Sequence, residues 1–308
     1  MTVYRKEVLN NHDVYDKPLK AGDEMPETGV NEGADIMNER IRLICPVCGS
    51  PLLSEDKSYV CSQRHRFDRA RQGYVNLLPV QSKHSLHPGD TKEMLLARRR
   101  FLDSGLYEPV CRSVTEAFQT YLTEPCPLIA DIGCGEGYYT ALIKEICGAD
   151  CIGVDIAKEG VRMACSRDKS ILWLVATASR LPLADASLDG LSAMFSLFLP
   201  QEYARVLKKG GCVAEVTVGS DHLRELKEII YESVFEQHKH PSPCGPLFEE
   251  VMCQEQRYQI TLNRQQLQDL LLMTPHFWRI KEERRERLMQ TEALRLTVNY
   301  FIRVLTKK

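Results

Sequence analysis

The sequence predicts an α/β fold: a doubly wound sheet preceded by a small module that carries three cysteines and a histidine. Three observations lead there. From 128 to 218, short apolar runs alternate with helical patterns, the rhythm of strand–helix–strand units that build one sheet. LIADIGCGEG (128–137) sets a glycine turn directly after the first of these runs. CPVCGSPLLSEDKSYVCSQRH (45–65) spaces its cysteines and histidine as C-x2-C-x12-C-x3-H.

The bulk properties bound what such a chain can be. At 308 residues it has room for a catalytic domain and a smaller module, and 44% apolar residues suffice for a full core. No run approaches the roughly 18 uncharged apolar residues of a membrane span. The N-terminus MTVYRKEVLNNHDVYDK has no apolar stretch of the signal-peptide kind. A cytoplasmic location follows as an expectation, with the 12 cysteines reduced or metal-bound rather than paired. Charge is uneven along the chain. Residues 1–40 hold 5 Lys/Arg against 9 Asp/Glu, the composition of a flexible acidic leader. Residues 41–100 hold 11 against 5, which points to an anionic partner, a nucleic acid first, with solvated surface charge as the alternative.

In the module expected at 41–82, Cys45 and Cys48 flank a C-P-V-C-G turn, and Cys61 and His65 follow the strand-like KSYVC. Thiolates and imidazole are the donors zinc prefers, and four of them close a tetrahedral site with no position left for water. The module therefore reads as a zinc ribbon with a structural ion. Residues 62–71 (SQRHRFDRAR) lack the long histidine-bearing helix of a major-groove reader, so the ribbon is expected to present Arg64, Arg66, Arg69 and Arg71 as a basic loop.

The unit at 128–156 is strand, glycine turn, helix from Tyr138 to Ile146, then a second strand, CIGVDI, with Asp155 near its tip. This Rossmann-like arrangement binds adenosine-bearing cofactors at the carboxyl edge of a sheet. Gly133 and Gly135 let the main chain approach the ligand, and Asp155, 22 positions after Gly133, suits ribose hydroxyls. Dinucleotides and S-adenosylmethionine share the layout. The pattern here is D-x-G-x-G-x-G, and Asp131 would repel a pyrophosphate but suits the cationic methionine end of S-adenosylmethionine. An S-adenosylmethionine-dependent methyltransferase sheet is the reading.

The remaining strands follow in order: ILWLVA (171–176), LSAMFSLF (191–198) and CVAEVTV (212–218), with a helix QEYARVLKKGG ending at a glycine stop between the last two. Ala178 and Ser179 lie where an adenine would sit, and Asp185 and Asp189 read as solvated loop acids. After the fourth strand MFSLFLPQEY carries neither the Asn/Asp-Pro-Pro-aromatic motif of amino-group methylases nor a cysteine nucleophile. A ring nitrogen or an oxygen remains as methyl acceptor, and no general base is identified. The C-terminal part offers a strand in CQEQRYQITL, a helix with LLLMTPHFW and a last strand LRLTVNYFIRVL (294–305), which complete the sheet.

Residues 83–125 connect the ribbon to the methyltransferase domain at 126–308. There P-G-D-T (88–91) starts a helix, and MLLARRRFL brings Arg98, Arg99 and Arg100, read either as a solvated helix face or as phosphate contacts. At this point the chain resembles the 23S ribosomal RNA guanine-N1 methyltransferases, a family that includes a macrolide-resistance branch. The resemblance runs from Cys45 to near the C-terminus. It is carried by C-P-x-C…C-x-Q-R-H-x-F-D, G-Y-V-N-L-L-P-V-Q (73–81), P-G-D (88–90), A-R-R (97–99), F-L-D-x-G-x-Y (101–107) and D-I-G-C-G-E-G-Y-Y-T (131–140). It implies zinc on Cys45, Cys48, Cys61 and His65, S-adenosylmethionine against Tyr107, Cys134, Gly135 and His222, and Asp155 on the ribose. It also implies a 23S rRNA hairpin as substrate and a homodimer. One departure is plain: the family commonly has an aromatic residue closely followed by proline after the fourth strand, whereas MFSLFLP spaces Phe195, Phe198 and Pro200 differently. The competing functions are a small-molecule methyltransferase and a non-catalytic cofactor-binding protein that contacts RNA.

Overall fold

A computed structural model describes residues 40–79, 90–233 and 241–308. The leader expected at 1–40 lies, but for Arg40, outside the described residues, as do the end of the ribbon module and Pro88–Gly89 of the helix-start turn.

The chain opens with three short antiparallel strands, β1 (Leu52–Glu55), β2 (Ser58–Cys61) and β3 (Arg66–Asp68). A two-residue strand, β4 (Val75–Asn76), follows, then α1 (Lys92–Asp103) and α2 (Glu108–Tyr121). Thr91 caps α1, its hydroxyl accepting the Met94 amide at 3.3 Å, which makes the start read from P-G-D-T correct at its second half. Pro109 occupies the first turn of α2, where its missing N–H costs nothing.

The main sheet alternates β5 (Leu128–Ile132), α3 (Tyr138–Cys147), β6 (Asp150–Asp155), α4 (Lys158–Ala164), β7 (Leu172–Val175), β8 (Leu188–Met194), α5 (Pro200–Val206) and β9 (Leu207–Val218). After β9 come α6 (Arg224–Ile230), β10 (Phe248–Asn263), α7 (Arg264–Leu272), α8 (Glu282–Gln290) and β11 (Ala293–Lys307). The strand order is β10-β11-β9-β8-β5-β6-β7-β4. Strands β4 to β9 pair in parallel and β11 runs antiparallel to β9. Every residue of β5 and β8 is buried, as central strands covered on both faces require. From β5 the chain first builds outward through β6 and β7, then returns to β8 on the other side. That reversal opens a crevice beyond the carboxyl ends of β5 and β8.

The ribbon is joined to this sheet. Leu43 bridges to Leu183, the Ile44 amide donates to Pro182 O at 3.0 Å, and β4 pairs with the outer side of β7. Leu43, Leu52 and Tyr59 share one apolar cluster with Leu128, Ile152 and Leu174. On the other face α2 buries Val110, Val114 and Phe118 against Ile129, so this helix is a layer on the sheet.

Several boundaries differ from the sequence reading. The fourth strand ends at Met194, and 195–198 is loop, because Phe195 turns into the left-handed region at φ 53°. The helix expected to reach the glycines at 210–211 stops at Val206, where Leu207 extends and starts β9. Pro275 ends the helical pattern of LLLMTPHFW and starts a short 3-10 turn, 275–278. Asp189 is corrected from a solvated acid to a buried one: it accepts the Leu128 amide at 2.9 Å and pairs with Lys208 at 2.5 Å. Asp185 is exposed as expected and pairs with Arg205.

Candidate functional site

The four predicted metal ligands converge. Cys48 Sγ lies 3.6 Å from Cys61 Sγ, His65 Nδ1 lies 3.6 Å from Cys45 Sγ and 3.4 Å from Cys61 Sγ, and all four donor atoms fall within 4.8 Å of one another. Tetrahedral zinc with ~2.3 Å bonds to sulfur separates its ligands by about 3.8 Å, so the donor set fits zinc, while a disulfide would need ~2.05 Å. Two turns aim the donors. In the first, Gly49 takes φ 77° and its amide donates to Cys45 O; in the second, Arg64 takes φ 62° and its amide donates to Cys61 O. Hydrogen bonds with Ser50 hold the Cys48 thiol down to about 6, where a thiolate is available to a cation, whereas burial pushes Cys45 up. With four protein donors, the ion would be structural. Around it Arg64 and Arg71 are exposed with no acid partner among the described residues. Arg66 is held by Ser58 and Glu55, and Arg69 lies over the Tyr59 ring.

A cavity of about 830 Å³ fills the crevice at the switch point. Its floor is the glycine loop, Gly133, Cys134 and Gly135, and its walls include Tyr107, Asp155 and His222. Of the seven residues predicted to hold cofactor, six therefore line one cavity. The glycines divide the work. A Cβ on Gly135 would meet nothing nearer than Arg98 Cδ at 3.9 Å, so that face is open to a ligand. A Cβ on Gly137 would meet Trp173 at 2.7 Å and Ala164 at 2.8 Å, so the third glycine serves helix–strand packing.

Asp131, the seventh, is not in the wall. Its carboxylate is buried under the loop, accepting hydroxyl hydrogen bonds from Thr140 at 2.5 Å and Ser192 at 2.8 Å. Burial pushes this carboxyl up to about 6. It puts a negative field beneath the loop without a direct ligand contact. Asp155 also differs in detail from the expectation. Its two oxygens accept the Gly135 amide at 2.8 Å and the Ala157 amide at 2.7 Å, which fixes the loop; the remaining lone pairs are what a ribose could use. Burial raises its carboxyl above the usual range, against the pull of those amides.

Tyr107 packs edge-on to Phe101 at 5.1 Å, and its buried hydroxyl has no hydrogen-bond partner. His222 Nδ1 accepts the Asn299 amide at 3.3 Å, so the neutral ring carries its proton on Nε2 and can donate. Arg98, at the wall, donates to Asp90 at 2.9 Å and has a buried Nε without a partner. An orphaned hydroxyl and an orphaned guanidinium nitrogen beside a glycine floor fit the carboxylate and amino groups of the methionine end of S-adenosylmethionine.

The sequence reading placed the arginines of α1 on solvent or phosphate, and the structure corrects this. Arg99 binds Glu136 of the glycine loop at 2.9 Å, and Arg100 grips the buried Asp269 of α7 at 2.5 Å. Ala178 and Ser179 do not line the cavity. Missed in the sequence were Met94, Leu95 and Arg98 on α1 and Phe195 and Trp278 at the mouth. A helical period marked α1, but nothing local revealed which face covers the cavity.

Comparison with known proteins agrees with both parts. Residues 43–86 match the family model described as RlmA, N-terminal, a zinc ribbon, and residues 130–214 match a methyltransferase domain. The chain is 33% identical to the 23S rRNA (guanine(748)-N(1))-methyltransferase of Streptomyces fradiae, over 77% of this chain and 85% of that one. It is 29% identical to a Bacillus subtilis protein provisionally named a 23S rRNA (guanine-N(1)-)-methyltransferase, over 83% of this chain and 93% of that one.

Proposed function

We propose, from the premise that this chain belongs to the 23S rRNA (guanine-N(1)-)-methyltransferase family, that it transfers a methyl group to N1 of a guanine in a 23S rRNA hairpin loop. The observation that carries the reading is one cavity lined by Tyr107, Gly133, Gly135, Asp155 and His222 in a chain whose zinc-ribbon module packs on the same sheet. When bound, S-adenosylmethionine supplies an activated sulfonium methyl, so the chain's own task is positioning. The glycine floor and Asp155 would hold the adenosine portion, and Tyr107 and Arg98 the methionine end. His222 lines the same cavity and would lie beside the guanine, whose O6 gains charge as the N1 proton leaves. Arg64 and Arg71 on the ribbon would meet RNA phosphates, which orient the substrate without reading it. A loop guanine is already partly unstacked, so presenting it costs less than extraction from a duplex.

The same reading includes a homodimer, implied by the resemblance, and a cytoplasmic site of action. Supporting the first, the outer edge of β10 has no strand partner among the described residues. Supporting the second, no helix among them is long and apolar enough to cross a membrane. The test is transfer of label from S-adenosylmethionine to 23S rRNA transcribed without modifications, followed by nucleoside analysis and light scattering of the protein. Label in 1-methylguanosine supports the reading. Label in another nucleoside, or none in RNA, overturns it.

A further inference from the structure

The loop after β8 is built in an unusual way. Phe195 sits in the left-handed region, φ 53°, a conformation that strains a bulky residue. The strain is held from both sides. The Phe195 amide donates to Val216 O at 2.9 Å, and the Ser196 hydroxyl donates to Ile132 O at 2.9 Å, tying the loop to β9 and to the last residue of β5. Gly133 leaves just enough room beneath: a Cβ there would stand 3.0 Å from Ser196 Cβ. The loop is thus tied by its backbone and by Ser196 to the strand that leads into the cofactor floor.

That arrangement keeps an aromatic ring out of the core. Two phenylalanines follow β8, and they go opposite ways. Phe198 turns inward, 5.7 Å from Tyr203 and 5.8 Å from Phe248, with Arg303 over its face. Phe195 stays 39% exposed in the cavity wall, its ring 6.2 Å from that of His222 and tilted 34° to it. Trp278, 69% exposed, lines the same cavity, and Leu197 stands 76% exposed two residues on. Apolar side chains lie at this mouth where a glycine floor and Asp155 supply the polar end. A flat apolar face fixed beside the methyl-donor floor suits a planar ring and has little to offer a flexible or charged acceptor.

We propose that Phe195 is the platform on which the target guanine stacks when it enters the cavity, the strained loop holding the ring in register with the glycine floor. The inference rests on the function proposed above and adds the residue that receives the base. It also suits the different spacing of Phe195, Phe198 and Pro200 after the fourth strand: backbone strain at Phe195, rather than a proline close behind it, turns the ring outward.

The test uses the full chain, unmodified 23S rRNA transcript and single-turnover kinetics on wild type, Phe195→Ala, Phe195→Leu, Phe195→Tyr and Phe195→Trp, with calorimetric binding of S-adenosylhomocysteine for each. Stacking on an aromatic ring corresponds to a factor of about 5- to 150-fold per base. The expected result is a 10- to 100-fold fall in methyl transfer for Phe195→Ala and Phe195→Leu, recovery to within about fivefold for the Tyr and Trp variants, and S-adenosylhomocysteine affinity within twofold throughout. Wild-type rates for Phe195→Ala, or for Phe195→Leu, would overturn the stacking role. An equal loss of S-adenosylhomocysteine binding would also overturn it, making Phe195 a cofactor wall. Failure of the underlying reading has a separate signature, absence of 1-methylguanosine with the wild-type protein.

Discussion

Asp131 is placed where its charge works against the fold, and the size of the effect follows from its surroundings. The carboxyl is 3% exposed, with two hydroxyl donors and no cation in contact, and burial raises it from 3.8 to about 6. A carboxyl raised on folding binds its proton more tightly in the native state. Its contribution to stability is therefore present at low pH and lost as pH rises through about 6. Linkage between pH 7.5 and pH 5 with those two values gives on the order of 1 kcal/mol of added stability on acidification. Asp131→Asn removes the titration but keeps the shape: its carbonyl still accepts one hydroxyl, and the other hydroxyl can rotate to accept from the amide. Urea unfolding of both proteins at the two pH values isolates the term, because other titrating groups cancel in the difference. The wild type should gain on the order of 1 kcal/mol relative to Asp131→Asn on going from pH 7.5 to pH 5. A difference that does not change with pH, or that changes in the opposite direction, refutes the argument that desolvation dominates at this site.

Three other outcomes follow from the same geometry. Tyr107→Phe removes a buried hydroxyl without a partner, so the ligand-free protein should gain about 1 kcal/mol in thermal unfolding, while S-adenosylhomocysteine affinity falls about tenfold in calorimetry. Arg100→Ala strips the buried Asp269 of its cation and should cost about 1–3 kcal/mol in urea unfolding, with Gln265 as the remaining donor. Because the half-exposed Arg100 is already paired with Asp269 of α7, the salt dependence of RNA binding should be unchanged by the same substitution. Cys48→Ser should abolish stoichiometric zinc measured by mass spectrometry and reduce RNA methylation at least tenfold. S-adenosylhomocysteine binding should stay within twofold, since no described ribbon residue lines the cavity.

What was legible in the sequence was local. The zinc ligands lie in two short pairs whose spacing is set by the turn geometry, and Gly133, Gly135 and Asp155 sit at the ends of consecutive strands. Both constellations are close in the chain, so pattern was enough. The misread positions depend on distant partners. Asp189 looked solvated because its cation, Lys208, and the Leu128 amide belong to other strands. Arg99 and Arg100 looked free because their acids lie 37 and 169 residues away. The fourth strand was read four residues too long because the apolar run LSAMFSLF has no glycine or proline at the turn. The break falls at Phe195, a residue whose type gives no hint of a left-handed conformation.

The arginines of α1 also explain how two modules can act as one. Three consecutive positions fan around a helix, so each must meet a different neighbour. Arg98 reaches Asp90 and the Met273 carbonyl, Arg99 reaches Glu136 and the Met163 carbonyl, and Arg100 reaches Asp269. One short helix is thereby tied to the glycine loop, to the end of α4 and to α7, while its apolar residues Met94 and Leu95 face the cavity. On the far edge the ribbon is fixed by β4 beside β7 and by Leu43 against Leu183. A substrate gripped at the ribbon, as proposed, would then be referred to the cavity through the sheet itself. Positioning, the main requirement of methyl transfer from an already activated donor, is met by the packing of the fold.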